Sequence, residues 1–105
     1  MGPGLLESIY VACLIHELKS RHIKTQSEVH IPLYYKGIEL MKDFGIDILV
    51  ENEIIIEVKA VEILLPIHSA QIISYLKLAN KRLGFLVNFN IPTLKEGIKR
   101  YVNNF

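Results

Sequence analysis

Residues 46–60 read IDILVENEIIIEVKA, two apolar runs separated by the polar residues 51–53. Runs of Ile, Leu and Val bounded by polar turn residues are typical of β-strands, and a short connection between two such runs favours an antiparallel hairpin. The sequence therefore predicts strands over residues 38–50 and 54–60 with a tight turn between them. This hairpin forms the centre of the predicted sheet.

Charged side chains fall at matching positions on the two strands. Successive side chains of a strand alternate between its faces, so Glu57 and Lys59 point the same way. If the turn takes three residues, Val50 pairs with Ile54. Counting outward from that pair places Asp47 directly across from Glu57, with a Cβ separation of about 5 Å. The hairpin is therefore predicted to gather two carboxylates and one ammonium group into a single patch.

The two carboxylates of this patch destabilise each other in a strand pair that is otherwise apolar, unless a cation neutralises them. Mg²⁺ prefers oxygen ligands and commonly binds one or two carboxylates together with water and a substrate phosphate. We therefore expect Asp47 and Glu57 to bind Mg²⁺ or Mn²⁺, whereas zinc is less suited because no His or Cys lies nearby. The alternative is a solvated face on which Lys59 simply pairs with Glu57 or Glu62.

The remaining segments predict an α/β fold with the order αβββαβα and a central mixed sheet flanked by helices. Before the hairpin, the sequence predicts a largely buried helix over residues 5–21, apolar almost all round, and an edge strand over 29–35 that contains Pro32. After the hairpin it predicts an amphipathic helix from Pro66 to about Asn80, a buried strand over 83–89 parallel to 54–60, and a last helix from Leu94 to about Val102. A chain of 105 residues has room for one core, so residues 1–105 are expected to form a single domain.

The first helix adds a third carboxylate to the candidates. Glu7 shares the stripe of Val11, Leu14 and Leu18, which otherwise predicts core, so its carboxylate is expected to face inward. The alternative is a surface position in the first turn, where the helix dipole favours an acid.

The second helix adds a polar stripe. Gln71 and Tyr75 follow His68 at three and seven residues, and the stripe borders the apolar face of the helix instead of opposing it. Such a stripe can overlook a cleft. The alternative is a helix flank whose polar tips lie in water.

Four segments of the chain together resemble a known family. They are Gly4-Leu5-Leu6-Glu7-Ser8-Ile9-Tyr10, Asp47-Ile48-Leu49-Val50, Ile56-Glu57-Val58-Lys59-Ala60-Val61 and His68-Ser69-Ala70-Gln71-Ile72-Ile73-Ser74-Tyr75-Leu76. In this order and spacing they resemble the GxxExxY protein family, which is grouped with the PD-(D/E)XK nuclease-like superfamily. The resemblance covers essentially the whole chain and implies a PD-(D/E)XK, restriction-endonuclease-like core.

The same resemblance implies a role for each candidate residue. Asp47 corresponds to the superfamily's metal-binding aspartate and Glu57 to its second acidic ligand. Lys59 corresponds to the lysine that positions the attacking water or stabilises the transition state. The implied chemistry is metal-dependent hydrolysis of a phosphodiester. The remaining positions that match the family's signature are Glu7, Gln71 and Tyr75.

Composition limits the class of protein. Half of the residues are apolar and 22% are charged, which is typical of an ordered globular protein. The single cysteine, Cys13, has no internal disulfide partner, and no apolar run approaches the roughly 18 residues of a membrane span, so we expect no membrane association and a cytoplasmic location. The net charge of +1 gives no global attraction to nucleic acid. A modest basic groove would have to come from Lys77, Lys81, Arg82, Lys95, Lys99 and Arg100.

The sequence leaves the function open between classes of protein. The first is a Mg²⁺-dependent nuclease or nuclease-like phosphodiesterase, with DNA or RNA as its partner. The alternative is a non-catalytic binding or assembly module that retains the fold, in which part of the apolar surface would form a homodimer interface. A third class, acid–base catalysis on a small molecule by Glu7 and Glu57, lacks a supporting pocket motif.

Overall fold

A five-stranded mixed sheet organises the chain. The computed structural model describes residues 3–89 and 97–103, apart from the side chains of residues 3–5, 31–35 and 39–44. In chain order the elements are α1 (Pro3–Ser20), β1 (Thr25–Tyr35), β2 (Ile38–Val50), β3 (Ile54–Lys59), α2 (Pro66–Leu78), β4 (Leu83–Asn88) and β5 (Ile98–Val102). The strands lie in the order β1-β2-β3-β4-β5, with β3 and β4 parallel and the other neighbours antiparallel. The predicted α/β class, a mixed sheet flanked by helices, is confirmed.

The central hairpin has the predicted turn. Val50 pairs with Ile54, so the connection takes three residues, and the register continues to the pair of Ile48 with Ile56. Glu53 donates its backbone N–H to the Val50 carbonyl oxygen at 2.9 Å, which closes the turn. The two strands therefore have the register that was used to predict the positions of Asp47 and Glu57.

Each helix covers one face of the sheet, and the alternation along β3 divides the core between them. The α1 side contains the buried residues Ile48, Val50 and Val58, with Tyr10, Val11, Leu14, Ile15 and Leu18 packed against them. The α2 side contains Ile46, Leu49, Ile55, Ile72, Tyr75, Leu76 and Leu86. Because Ile55 and Val58 pack on opposite sides, the predicted alternation is confirmed, and Glu57 shares the face of Ile55.

Gly84 lets α2 pack closely on β4. A Cβ atom at this position would lie 3.1 Å from Ile72 Cδ1, 3.2 Å from Leu76 Cδ2 and 3.3 Å from the Ile55 carbonyl oxygen. Without that atom, the helix buries Ile72 and Leu76 almost completely against the parallel strands. This close packing fixes the height of α2 above β3.

The first strand lies at the sheet edge, as predicted, but it is longer and begins at Thr25. Its register with β2 shifts between Pro32 and Leu33. Proline has no N–H to donate to a ladder, so an irregular edge position accommodates it.

The end of the chain forms a strand and not the predicted helix. Residues Ile98–Val102 are β5 and pair antiparallel with β4. The helix predicted from Leu94 to Val102 is therefore wrong over these residues, and its first residues, 94–96, lie outside the described residues. The unpaired edge of β4 offers hydrogen bonds to a segment rich in β-branched and aromatic residues, and this pairing outweighs the local helix signal.

Helix α1 is not the largely buried helix that its composition predicts. Leu6 and Ile9 are 44% and 50% exposed, and Cys13 is exposed as well. A helix lying on one sheet face buries one of its own faces, so an apolar flank can remain in water. On α2, Ile73 is expected on the apolar side of the amphipathic helix, but it is likewise exposed. No helix in the described part of the chain is long and apolar enough to cross a membrane.

Candidate active site

At Asp47 and Glu57, the backbone hydrogen bonds between β2 and β3 give way to bonds between the backbone and the two carboxyl groups. Regular pairing between β2 and β3 ends at Ile48 and Ile56. Beyond that pair, the Asp47 N–H donates to Glu57 Oε1 at 3.1 Å, and the Val58 N–H donates to Asp47 Oδ2 at 2.8 Å. Each carboxylate is therefore tied to the backbone of the opposite strand. Asp47 and Glu57 lie close together as predicted, but they do not form the directly opposed strand pair that was predicted.

A break in the alternation of β2 occurs at Asp47. Ile46 packs on the α2 side of the sheet, whereas Ile48 packs on the α1 side. Residues two apart on a regular strand share a face, so the regular alternation of side chains is interrupted at Asp47, the residue between them. At the same level of β1, Glu28 has a positive φ of 52°. The distortion brings Asp47 into a cleft that it lines together with α1 and β1 residues.

Burial makes Glu57 hold a proton at neutral pH. Its side chain is 3% exposed, and burial, followed by the nearby charge of Asp47, raises the pKa of Glu57 to about 8. Burial also raises the pKa of Asp47, against the lowering effects of the Val58 N–H and the Lys59 charge. The interaction between the two carboxyl groups lowers the pKa of Asp47 and raises that of Glu57. The pair therefore holds a proton at pH 7, and a cation bound to the carboxyl groups would replace that proton.

Lys59 ends β3 and brings positive charge to this pair. Its side chain is half-buried, and its charge acts to lower the pKa of both Asp47 and Glu57. Its carbonyl oxygen accepts the N–H of Phe89 at 2.9 Å. The structure thus brings the three charged residues of the hairpin together, and the solvated-face alternative is wrong for Glu57.

The carboxylate of Glu7 faces the sheet, as predicted. Its Oε2 accepts the N–H of Ala60 at 3.1 Å, and its charge acts to raise the pKa of Asp47. Glu7 and Asp47 line a cleft of about 310 Å³ between α1 and the first two strands. Glu7 therefore reaches the site from α1, whereas Glu57 lies on the α2 side of the sheet.

Tyr75 lies near the carboxylates on the α2 side, and Gln71 lies beside Tyr75. Gln71 Nε2 donates to the Tyr75 hydroxyl oxygen at 2.9 Å. Tyr75 is 4% exposed, and its pKa is raised by burial and then by the charge of Glu57. Both side chains line a second cleft of about 470 Å³, together with His68. His68 also caps α2, since its Nδ1 accepts the N–H of Leu65 at 2.9 Å.

The donor set at this site fits a hard divalent cation. Among residues 3–89 and 97–103, no group of three or more His, Cys, Asp and Glu side chains is arranged to hold a metal ion. Asp47 and Glu57 therefore offer two carboxylates and not a full protein cage. Such a pair suits Mg²⁺ or Mn²⁺, which complete their coordination with water and substrate oxygens, whereas zinc needs further His or Cys ligands.

Comparison with known proteins identifies the family. Residues 1–101 match the family model described as the PD-(D/E)XK nuclease superfamily. The chain belongs to this superfamily. In fold it is similar to a solved structure titled "Crystal structure of SSO0001", with a TM-score of 0.67 and 23% sequence identity. The likeness covers 96% of this chain and 51% of the other, so the chain spans about half the length of that protein. No curated protein matches the chain.

One buried polar residue of this PD-(D/E)XK domain was not predicted as a site residue from the sequence. Asn88, the last residue of β4, is completely buried. Its Oδ1 accepts the Val61 N–H at 3.1 Å, and its Nδ2 donates to the Val61 carbonyl oxygen at 2.9 Å. The available signal is a polar residue that ends an apolar strand, at the carboxyl edge where parallel α/β sheets bind their ligands.

Among the described residues of this superfamily member, Lys81 and Arg82 do not lie beside the carboxylates. Lys81 Nζ donates to the Asn52 carbonyl oxygen at 2.8 Å, and Lys81 and Arg82 line a cleft of about 530 Å³ beside the starts of β3 and β4. Lys59 lies at the opposite end of β3. Neither cleft beside the carboxylates is lined by a Lys or Arg among the described residues. The other basic candidates are the exposed residues Lys77, Lys99 and Arg100, and Lys95, which lies outside the described residues.

Proposed function

We propose that the protein is a divalent-metal-dependent nuclease or nuclease-like phosphodiesterase that hydrolyses DNA or RNA, and that it is a GxxExxY protein within its superfamily. Membership of the PD-(D/E)XK nuclease superfamily supports a nuclease-like function. The observation that carries the proposal is the pairing of buried Glu57 with half-buried Asp47 beside Lys59. Carboxylates that repel one another in a buried position are costly to a fold and are frequent at functional sites.

In this proposal Asp47 and Glu57 hold Mg²⁺ or Mn²⁺. When bound, the metal polarises a phosphoryl oxygen and lowers the pKa of a bound water. Glu57 gives up its proton on binding, because a carboxylate ligand has to be deprotonated. The hydrogen bond from the Asp47 N–H orients the Glu57 carboxyl group.

Lys59 supplies fixed positive charge in the proposed reaction. Phosphodiester hydrolysis spreads negative charge over the phosphoryl oxygens of the transition state, and a half-buried ammonium group beside the carboxylates offsets that charge. Glu7 holds the backbone directly after Lys59. Gln71 and Tyr75 line the cleft on the α2 side, where their polar groups could contact a bound nucleotide.

A binding or assembly module without catalysis is the second candidate. The aliphatic side chains of Ile63, Leu65 and Ile67, in the connection from β3 to α2 and at its start, are 72%, 53% and 67% exposed. Exposed apolar patches are frequent at protein–protein interfaces, so a homodimer formed through this surface would favour the module. Its association would not respond to chelation of divalent metals.

Metal titration and cleavage by matched variants test the proposal. Mn²⁺ is titrated by calorimetry into the parent protein, Asp47→Asn and Glu53→Gln, the last of which removes an exposed carboxylate from the β2–β3 turn. Each protein then receives a mixture of labelled DNA and RNA, single- and double-stranded. We expect binding and cleavage in the parent and in Glu53→Gln, and loss of both in Asp47→Asn.

The opposite outcome of this experiment is equally clear. A folded parent that neither binds Mn²⁺ nor cleaves any of the substrates contradicts the nuclease proposal. A stable dimer of such a parent, broken by Ile63→Ser, would support the assembly module instead.

A further inference from the structure

The chain beyond Lys59 leaves the sheet, yet its backbone groups remain bonded to polar side chains. The Ala60 N–H donates to Glu7 Oε2 at 3.1 Å. One residue later, the Val61 N–H donates to Asn88 Oδ1 at 3.1 Å, and the Val61 carbonyl oxygen accepts from Asn88 Nδ2 at 2.9 Å. The segment that follows Lys59 is therefore held from two elements, α1 and β4.

The Asn88 side chain bonds to the Val61 backbone as a neighbouring strand would. It is the register partner of Lys59 at the end of the parallel β3–β4 ladder, where the Phe89 N–H donates to the Lys59 carbonyl oxygen at 2.9 Å. A carboxamide carries a donor and an acceptor in one plane, as a peptide group does, so Asn88 continues the pairing by one step to Val61. Its side chain is 0% exposed, and water does not replace these bonds without opening the structure.

This arrangement anchors Lys59 separately from the carboxylates. Asp47 and Glu57 are fixed by bonds between β2 and β3 that precede Lys59. Lys59 is the last residue of β3, so the position of its backbone depends on the bonds on both sides of it. A flexible four-carbon side chain reaches a defined point only from a fixed backbone. Loss of the Asn88 bonds therefore moves Lys59 more than it moves the carboxylates.

We propose that Asn88 is a positioning residue, which holds the backbone beyond Lys59 and so places its ammonium group beside the scissile phosphate. The inference rests on the proposed phosphodiesterase function, in which Lys59 offsets charge in the transition state. A displacement of about 1 Å at a catalytic group can cost about 100-fold in rate, so the effect of Asn88 falls on kcat.

A matched pair of variants in the full chain separates positioning from general stability. Asn88→Ala removes both bonds to Val61. Asn103→Ala removes a comparable carboxamide at the other end of the sheet, whose Nδ2 donates to the carbonyl oxygens of Leu76 at 3.4 Å and Lys81 at 3.2 Å. If Asn88→Ala does not fold, Asn88→Asp takes its place, because it keeps an acceptor for the Val61 N–H and loses the donor to the carbonyl.

Three measurements are made on each variant. They are the exchange rate of the Val61 amide hydrogen, the ¹³Cε resonance of Lys59 in lysine-labelled protein, assigned with Lys59→Arg, and steady-state kinetics with saturating Mn²⁺. In Asn88→Ala we expect Val61 exchange at least about tenfold faster, a Lys59 resonance shifted toward those of exposed lysines, and kcat lower by about 10- to 100-fold. We expect KM and the Kd for Mn²⁺ to change less than about twofold, and none of these effects in Asn103→Ala.

An Asn88→Ala protein with fast Val61 exchange but an unmoved Lys59 resonance and parental kcat overturns the inference, since Asn88 is then merely structural. A parent that binds Mn²⁺ but cleaves nothing contradicts the proposed function. The Lys59 resonance then tests the positioning role of Asn88 without any cleavage. In that case a shift in Asn88→Ala still supports the positioning of Lys59, and an unmoved resonance overturns it.

Discussion

Asp47 and Glu57 are joined reciprocally through the backbone, because the amide of Asp47 donates to the carboxylate of Glu57 while the amide after Glu57 donates to the carboxylate of Asp47. Two ladder bonds of the sheet are thus exchanged for two bonds to carboxylates. The exchange orients both acids from rigid strands, but it also keeps Glu57 buried and close to Asp47, whose charge makes ionisation of Glu57 less favourable. The free energy of the fold is consequently linked to the protonation of this pair.

The stability of the metal-free protein should fall with rising pH. The pKa of Glu57 is raised from its ordinary 4.5 to about 8, so the folded chain binds this proton more tightly than the unfolded chain does. The contribution is complete below the unfolded pKa and is lost as pH rises through about 8, by at most about 1.4 kcal/mol per pH unit. Glu57→Gln is neutral at every pH and should remove that slope.

Urea denaturation in excess chelator, between about pH 5 and about pH 8.5, measures this slope. The comparison of parent with Glu57→Gln isolates Glu57 from the other titrating groups. Identical slopes in the two proteins would mean that Glu57 ionises normally inside the fold.

Metal binding should release a proton. At pH 7, a Glu57 with a pKa of about 8 is mostly protonated, and a divalent cation has to displace that proton to bind. Calorimetry of Mn²⁺ binding in buffers of different ionisation enthalpy should therefore report close to one proton released per ion at about pH 7, and almost none above about pH 9. Proton release that does not depend on pH over this range would assign the binding to other groups.

The hairpin and its charged patch follow from local rules, whereas the missed features depend on distant parts of the chain. A three-residue turn and the two-residue period of a strand predict that Asp47 lies close to Glu57, since both rules act within about 15 residues. They do not predict the break in the alternation of β2 at Asp47. The segment 98–102 carries a local helix signal, but its pairing with β4 decides its structure. Local sequence patterns do not show that the edge of β4 is available for pairing.

Asn88 is missed for the same reason. Its role depends on the register that sets it beside Lys59 and on the course of the chain at Val61, 27 residues earlier. Neither is visible in the apolar run of β4 itself. The partial exposure of α1 is also a tertiary property, because the apolar residues of its sequence do not reveal that the helix covers only one sheet face.

Gly84→Ala should destabilise the fold by about 1–3 kcal/mol, because the new methyl group meets Ile72, Leu76 and the β3 backbone at 3.1–3.3 Å. Gly45→Ala is the matched control, since nothing lies within 4 Å of a Cβ atom built there. Urea denaturation of the two variants beside the parent gives both values. Equal losses in the two variants would show that α2 is not held against β4 by this close approach.

Lys59→Met should separate metal binding from catalysis. Lys59 is not a ligand in the proposed site, so the Kd for Mn²⁺ should change less than about tenfold, whereas the loss of charge stabilisation in the transition state should lower kcat by about 10²- to 10³-fold. The comparison belongs above about pH 8.5, because the Lys59 charge acts to lower the pKa of both carboxyl groups and its removal strengthens their hold on protons. Lys77→Met, which removes an exposed lysine of α2, is the control. If Lys59→Met loses Mn²⁺ binding together with cleavage, Lys59 serves to maintain the carboxylate pair and not to stabilise the transition state.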